Sequence, residues 1–443
     1  MAAPRLSREL GLFSAALLVV GGIIGSGIFF TPAEVARALP GPGPILAVWI
    51  AGGLIALAGA LTYAELGAML PDAGGGYVYI REAFGPLPAF LCGWMTLGLT
   101  ASGAIAAVAM GFAGYAERYM ALDAVGGRIG LAAITILVLT ITNILGVKPG
   151  AFVQNTLTLA KSAALFALIG LGFAKWGVVS ALPVAAAPMP PPLLTGAATA
   201  FVAVLFTIGG WQQMNMVAGE IRDPQKTIPR ALVIGIGTVI AIYLGANVVY
   251  LHALGRDGLA ASVAVAADTA ARLAGPNGAS GITVAAMISI LGFTGVALLT
   301  NARMLFALGA DGAFLTSAAQ VHSRFGSPHV ALALLGGWSL ALLIGTRGEI
   351  GALLSGVVFA DWIFFGLGAA SVIVLRRTRP DLVRPYRVPG FPFVPALFVV
   401  AAAVGVVSAY VSSIRTSLFG TALLAIGALV YAWGVRRARR LSP

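Results

Sequence analysis

Two of the longest apolar runs in this chain are interrupted at their centres by glycine. The first, GLFSAALLVVGGIIGSGIFFTPA, carries Gly21-Gly22-Ile23-Ile24-Gly25-Ser26-Gly27 in its middle. A later one, TAFVAVLFTIGGWQQMNMVAGE, carries Gly209-Gly210-Trp211 at about the same depth. Glycine costs a helix interior roughly 1 kcal/mol against alanine. In lipid, an open backbone survives only where protein or a water-filled cavity satisfies it. Two such breaks at matching positions therefore constrain the chain to fold around a cavity, and they predict a binding site near the bilayer midplane.

Composition places the whole chain in a membrane. Of its 443 residues 59% are hydrophobic and 9% charged, against about 25% charged in an average soluble protein. Twelve apolar runs, each close to the ~20 residues that cross a bilayer, cover roughly 11–38, 43–70, 86–117, 129–147, 150–174, 195–219, 229–254, 281–309, 328–346, 350–375, 393–413 and 417–435. The first follows a short basic stretch without a small-residue cleavage site, so it reads as a span and not as a signal peptide.

Twelve spans put both termini on one side. Of the 27 Lys and Arg, 18 fall on that side and 8 on the other, with Lys161 inside a span. The 15 acids divide as 7 and 6, with two inside spans. The basic excess, concentrated in RRTRPDLVRPYR and the tail RRARR, predicts cytoplasmic termini and a cell (inner) membrane address. The formal net charge of +12 is then an orientation signal, with anionic lipid as a lesser partner; no nucleic acid is expected. The lone Cys92 cannot form an intrachain disulfide and reads as packing.

No soluble domain interrupts the spans. Residues 187–192, Ala-Pro-Met-Pro-Pro-Pro, form a stiff approach to the sixth span. Residues 255–280 have helical periodicity on the outer side, either as a short helix over the external mouth or as an ordinary connector. Breaks in spans 1 and 6 divide the chain into 1–176 (spans 1–5), 177–378 (spans 6–10) and 379–443 (spans 11–12 and the basic tail). An odd number of spans per unit inverts the second unit relative to the first. The prediction is an all-α membrane protein of LeuT-type fold: 12 transmembrane helices, a 5+5 inverted repeat with broken helices 1 and 6, and two extra helices.

Unwinding span 1 from Ile24 through Gly25 and Ser26 to Gly27 frees amide N–H groups at the start of its second half-helix. There the helix dipole adds about half a positive charge. That end suits a carboxylate, with the Ser26 hydroxyl beside it. Carbonyls released near Ile23, and at Phe206 and Gly209 around the Gly209-Gly210 break, suit an ammonium group. A site that holds both ends is a site for an α-amino acid. Close helix packing is the rival account of one Gly-x-Gly; it does not account for two breaks at one depth.

Ionisable residues within spans are costly and default to function. Lys161 lies too deep in span 5 to snorkel. Its ammonium fits the place of a coupling cation, with span 1 carbonyls and a hydroxyl such as Thr294 as partners; a structural tether is the alternative. Glu65, near the inner end of span 2, is expected to anchor the inner loops. Asp361, midway through span 10, either lines the pocket or hydrogen-bonds one helix to another. Phe206 is placed to lie over bound substrate as a gate, whereas Trp211 reads as packing. His252, His322 and His329 sit at span ends or in loops and make no metal or proton-relay set, and no cofactor is expected.

Several stretches resemble one family along nearly the whole chain. They are GGIIGSGIFFTPA, YAELGAMLPDAGGGYVYIREAFGPLPAFL, VKPGAFVQNTLTLAK, VLFTIGGWQQMN with EIRDPQKTIPRAL, LLTNARMLFALGADGAFL, and FADWIFF with RPDLVRPYRVPGFP. The chain is similar to the L-type amino acid transporters of the amino acid–polyamine–organocation superfamily, as a bacterial member. The resemblance implies that the amides of Ser26 and Gly27 bind an amino acid's carboxylate and that carbonyls of Ile23, Phe206 and Gly209 bind its amine. It also implies that Lys161 replaces a sodium site, giving sodium-independent transport of neutral L-amino acids, often by obligatory exchange. Asp361 stands where animal members carry asparagine. Residues 119–128, where animal members carry the cysteine that joins a glycoprotein, contain none, so no disulfide-linked heavy subunit is expected. The alternative is a proton-coupled symporter for cationic amino acids or polyamines, drawn toward Asp361. A membrane enzyme would need a cluster of His, Asp or Cys at one face, and the sequence offers none.

Overall fold

A computed structural model describes residues 6–117, 119–178, 189–348, 351–412 and 414–441. Its first span is two helices. Helix α1 (Leu12–Ile23) stops where Ile24 leaves helical geometry at φ −73°, ψ 89°. A single 3₁₀ turn, Gly27–Phe29, leads into α2 (Thr31–Ala38), which has a proline in its first turn. Proline suits that position because its missing N–H has no intrahelical partner there.

Helix α3 (Pro42–Met69) is continuous, and α4 (Gly76–Phe84) is a short helix after it. The third apolar run is α5 (Pro86–Met95) and α6 (Ala101–Ala116), joined without a break in direction by a π-helical turn at Thr96–Thr100. Helices α7 (Gly127–Ile144) and α8 (Val147–Ala174) follow. The sixth run is again interrupted: α9 (Leu193–Thr207) ends before Gly209-Gly210, and the chain resumes as the single turn α10 (Gln213–Met216). The remainder is α11 (Pro224–Ala261), α12 (Val265–Ala310), α13 (His329–Gly345), α14 (Gly351–Thr378), α15 (Phe393–Ser412) and α16 (Ile414–Leu441).

Eight of the described helices are long and apolar enough to cross a membrane, with three shorter apolar ones, Leu12–Ile23, Leu193–Thr207 and His329–Gly345. Two of those three are short because glycine cuts them. Among the described residues the one β pairing is an isolated parallel bridge between Leu10 and Ile221.

Lipid offers no hydrophobic drive between helices, so packing through small residues has to hold them. The chain meets this need in α3, which buries Gly52, Gly53, Ala56, Gly59, Ala60 and Ala64 and lies against α11 and α15. Helix α12 packs along α8 and α6, and α11 along α1.

The stretch 255–280 is largely helical. Gly255 (φ 68°) kinks α11 and Gly275 (φ 70°) kinks α12, and the segments between them bury Leu259, Val265, Ala270 and Leu273. Arg37 at the end of α2 donates to the Ala260 carbonyl at 2.8 Å, and Lys175 beyond α8 donates to the Leu273 carbonyl at 2.6 Å. The segment is therefore tied down over the ends of α2 and α8. Of the proline-rich stretch, Pro192 is extended (φ −47°, ψ 140°) ahead of α9, while 187 and 188 lie outside the described residues. The side chains of the RRARR tail also lie outside them.

Two interior carboxylates are paired with arginine. Glu65 is forked by Arg376 (Nε to Oε1 2.8 Å, Nη2 to Oε2 2.6 Å) and accepts the Val388 N–H at 2.7 Å, with Arg384 at 3.7 Å. This carboxylate thus joins α3 to the end of α14 and the loop after it, the anchoring role expected of it. Glu220 and Arg303, both fully buried, form a second fork at 2.6 and 3.2 Å. The Glu220 carbonyl also accepts the N–H groups of Glu9 and Leu10, each at 2.9 Å, and the Arg222 N–H returns to Leu10 at 2.8 Å.

Candidate functional site

The two breaks meet. A Cβ built on Gly210 would lie 2.0 Å from the Gly22 carbonyl oxygen, and one on Gly22 would lie 2.8 Å from the Gly210 oxygen. Gly210 also has φ +106°, a conformation that side chains disfavour. Glycine is therefore required at 210 both by its own backbone and by its neighbour's. Around this contact the Tyr243 hydroxyl lies 3.2 Å from the Ile23 carbonyl and 3.4 Å from the Thr207 carbonyl, the last residues of α1 and α9. The Thr31 and Thr207 hydroxyls bond at 2.7 Å, linking the second half of one broken span to the first half of the other. Nothing local in the sequence marks Tyr243 or Thr31 for these positions.

Beside the meeting point is a cavity of about 160 Å³, an order of magnitude above the ~10–15 Å³ one water needs. Ile23, Gly25, Ser26, Gly27, Phe206, Gly209, Gly210 and Asp361 all contribute to its wall. Among the described residues no protein acceptor faces the amides of Ser26 and Gly27, whereas the amides of Ile24, Gly25 and Phe29 are bonded within the segment. Two free N–H groups at the start of a half-helix form an anion-binding end. Phe206 is half-exposed. Trp211 is buried away from the opening, edge-on to Tyr63 at 5.0 Å and to Phe398 at 5.6 Å, and does serve as packing.

Ile24, Lys161 and Thr294 are set back from the cavity wall. The fully buried Lys161 ammonium donates to the Gly21 carbonyl at 2.9 Å and, closely, to the Ile24 carbonyl. The buried ammonium thus satisfies two carbonyl oxygens at the place where α1 breaks. A hydroxyl from a third helix, Ser289, approaches the same turn, 3.1 Å from the Ile24 oxygen and 2.9 Å from the Gly25 oxygen. Thr294 instead donates along its own helix to the Ile290 carbonyl at 2.9 Å. Ser289 lies in α12 one turn and a half before Thr294, and a lone serine in an apolar helix gives no sequence signal to separate the two.

Asp361 stands in the cavity wall and is hydrogen-bonded to the Thr100 hydroxyl of the third apolar run, so both roles read from sequence are present: it lines the pocket and it bonds one helix to another. Cys92, also buried, lines the same cavity. His252 stacks on Trp176 with centroids 3.6 Å apart, and His322 and His329 adjoin each other. Among the described residues no three His, Cys, Asp or Glu side chains are grouped to hold a metal.

A family model described as Amino acid permease matches residues 10–432. The chain belongs to the amino acid permease family. The permease is 34% identical over 394 residues to the b(0,+)-type amino acid transporter 1 of Mus musculus, covering 87% of this chain and 80% of that protein. The Homo sapiens counterpart is 34% identical over 389 residues, covering 87% and 79%. The large neutral amino acids transporter small subunit 2 of Mus musculus is 33% identical over 404 residues, covering 89% and 75%. These relatives are transporters and not enzymes, and the permease, with its long apolar helices, is an integral membrane protein.

Proposed function

We propose that this permease is a sodium-independent secondary transporter of neutral L-amino acids, an exchanger that works by alternating access around the cavity between its broken helices. The observation that carries this reading is the meeting of the two breaks at one cavity wall, where the amides of Ser26 and Gly27 and the backbone of Ile23, Phe206 and Gly209 line the same space. The amides of Ser26 and Gly27 take the substrate carboxylate, and the carbonyls of Ile23, Phe206 and Gly209 take its ammonium. These groups replace water for both charged ends, which makes burial of a zwitterion tolerable. Phe206 closes over the bound molecule. Lys161 stands in for the coupling cation, with Ser289 as its supporting hydroxyl and Thr294 bracing the same helix.

The same reading arranges the chain as twelve spans of LeuT type. Two inverted units, 1–176 and 177–378, are followed by 379–443, with cytoplasmic termini in the cell membrane. Residues 119–128 hold no cysteine, so the permease works without a disulfide-linked heavy subunit. Counterflow in liposomes tests the proposal. Labelled leucine should enter vesicles preloaded with unlabelled leucine, at the same rate when choline replaces sodium. Entry that needs sodium, or that proceeds equally into vesicles holding no amino acid, overturns the sodium-independent exchange reading. One observation favours a second reading, proton-coupled uptake of cationic amino acids or polyamines: the carboxylate of Asp361 in the cavity. Uptake unchanged when an imposed pH gradient is collapsed excludes it.

A further inference from the structure

At the end of the molecule where the N-terminal segment pairs with Ile221, several basic side chains are spent on the protein itself. Arg376 forks Glu65, Arg303 forks Glu220, and Arg81 is held by Asp311 and Glu82. Arg384 donates to the carbonyls of Leu375 and Arg379 at 2.9 and 2.8 Å. Lys226 and Arg230 differ. They are exposed, one helical turn apart at the start of α11, and neither forms an ion pair with a described acid. Arg222, also exposed, precedes them, and its Nε points to the Arg8 carbonyl at 3.4 Å. The N-terminal segment thus brings Arg8 to the same place. Glu9 and Asp223 are the acids within these two stretches, so the four basic residues leave an excess of positive charge.

The same face then changes character. Between 231 and 241 the exposed residues of α11 are Val233, Ile234, Gly237 and Ala241. At about 3.6 residues per turn they lie on the side of the helix that carries Lys226 and Arg230. Val233 and Ile234 are 45% and 50% exposed, in a helix long and apolar enough to cross a membrane. One surface therefore presents cationic groups and, a turn further along, bare aliphatic ones. A phospholipid presents phosphate and acyl chain in that order. Orientation in the membrane accounts for basic residues at this end. It does not require them to stand unpaired on the lipid face of one helix, in line with its aliphatic stripe.

We infer that Lys226 and Arg230, with Arg222 and Arg8 beside them, hold the headgroup of an anionic phospholipid whose acyl chains lie along Val233, Ile234 and Gly237. In the orientation proposed above, that lipid belongs to the cytoplasmic leaflet. The inference needs a chain that spans the bilayer and is independent of the exchange reading.

Photoactivatable phosphatidylglycerol and phosphatidylcholine with identical acyl chains, each present at trace level in phosphatidylcholine nanodiscs, test it by peptide mapping of the labelled permease. In the wild type, residues 230–241 should be labelled at least about tenfold more by phosphatidylglycerol. Lys226→Gln with Arg230→Gln should bring that preference down to about twofold or less, as loss of two charges at a membrane surface predicts. Arg377→Gln with Arg387→Gln, which removes two exposed arginines at and beyond the end of α14, should leave it within about threefold, because physiological salt screens charges beyond about 8 Å. Should the first double variant not elute as a monodisperse peak, Arg230→Gln alone carries the test with about a fivefold loss. Equal labelling of the wild type by the two lipids overturns the inference. Equal loss in both double variants also overturns it, by showing a diffuse charge effect. So does displacement of the phosphatidylglycerol label by millimolar glycerol phosphate, which would make this a site for a soluble phosphate.

Discussion

Lys161 and Ser289 between them reach three carbonyls, of Gly21, Ile24 and Gly25, where α1 unwinds. Losing a donor from a buried acceptor costs about 1–3 kcal/mol, and the loosened turn is where the amides of Ser26 and Gly27 are presented. Lys161→Met keeps the stem and removes the donors. Its leucine counterflow should fall at least about tenfold, for roughly 1.4 kcal/mol of lost positioning, while the detergent-solubilised protein still elutes as a monodisperse peak. Full activity in that variant removes the ammonium from the mechanism. Ser289→Ala should cut counterflow several-fold, whereas Thr294→Ala, which loses a bond within its own helix, should stay within about twofold, as substitutions away from such networks do. At this scale a single residue was legible where its chemistry is expensive. Lysine in a span and glycine in a span both announce themselves. Serine, threonine and tyrosine do not, because each can satisfy itself on its own helix, as Thr294 does, and only the fold decides which one turns outward.

The broken elements were readable because glycine is the poorest ordinary helix former and no other local feature explains it twice. The precise contact was not readable, since Gly22 and Gly210 come from distant parts of the chain. Gly210→Ala has to relieve both a φ of +106° and a 2.0 Å approach to the Gly22 oxygen, so the variant should lose counterflow altogether and unfold at lower temperature in a thermal-shift assay. Wild-type behaviour would mean that the two breaks are not held as described. The Glu220–Arg303 pair escaped the sequence reading for a related reason. Both residues fall near the ends of apolar runs, where charges are ordinary, and a pairing across 83 positions leaves no local signature. Glu220→Gln strands a buried guanidinium, which costs roughly 3–5 kcal/mol, and Glu220→Leu with Arg303→Met should recover much of the stability lost. Thermal midpoints of the single and double variants check this.

At the scale of the molecule, hydropathy located the apolar runs and the basic loops, because length and composition are what a bilayer selects. It did not reveal how the ends are fastened. The 255–280 segment read equally well as a cap or a connector, and its role follows from Arg37 and Lys175 reaching its carbonyls. The N-terminal segment gave no signal at all, although Leu10 and Ile221 pair backbone to backbone. Leu10→Pro deletes one of the two N–H groups on the Glu220 carbonyl and should slow exchange while leaving binding of leucine, measured by scintillation proximity, within about threefold, since a substitution this far from the cavity leaves the ligand's contacts intact. Equal slowing of both would point to misfolding.

Main chain pressed against main chain at Gly22 and Gly210 leaves no side chain to swing aside. Neither interrupted helix can tilt by much without carrying the other, so the pair acts as one lever. Any swing that exposes the pocket to one face of the bilayer has to hinge somewhere else, among the helices that surround them.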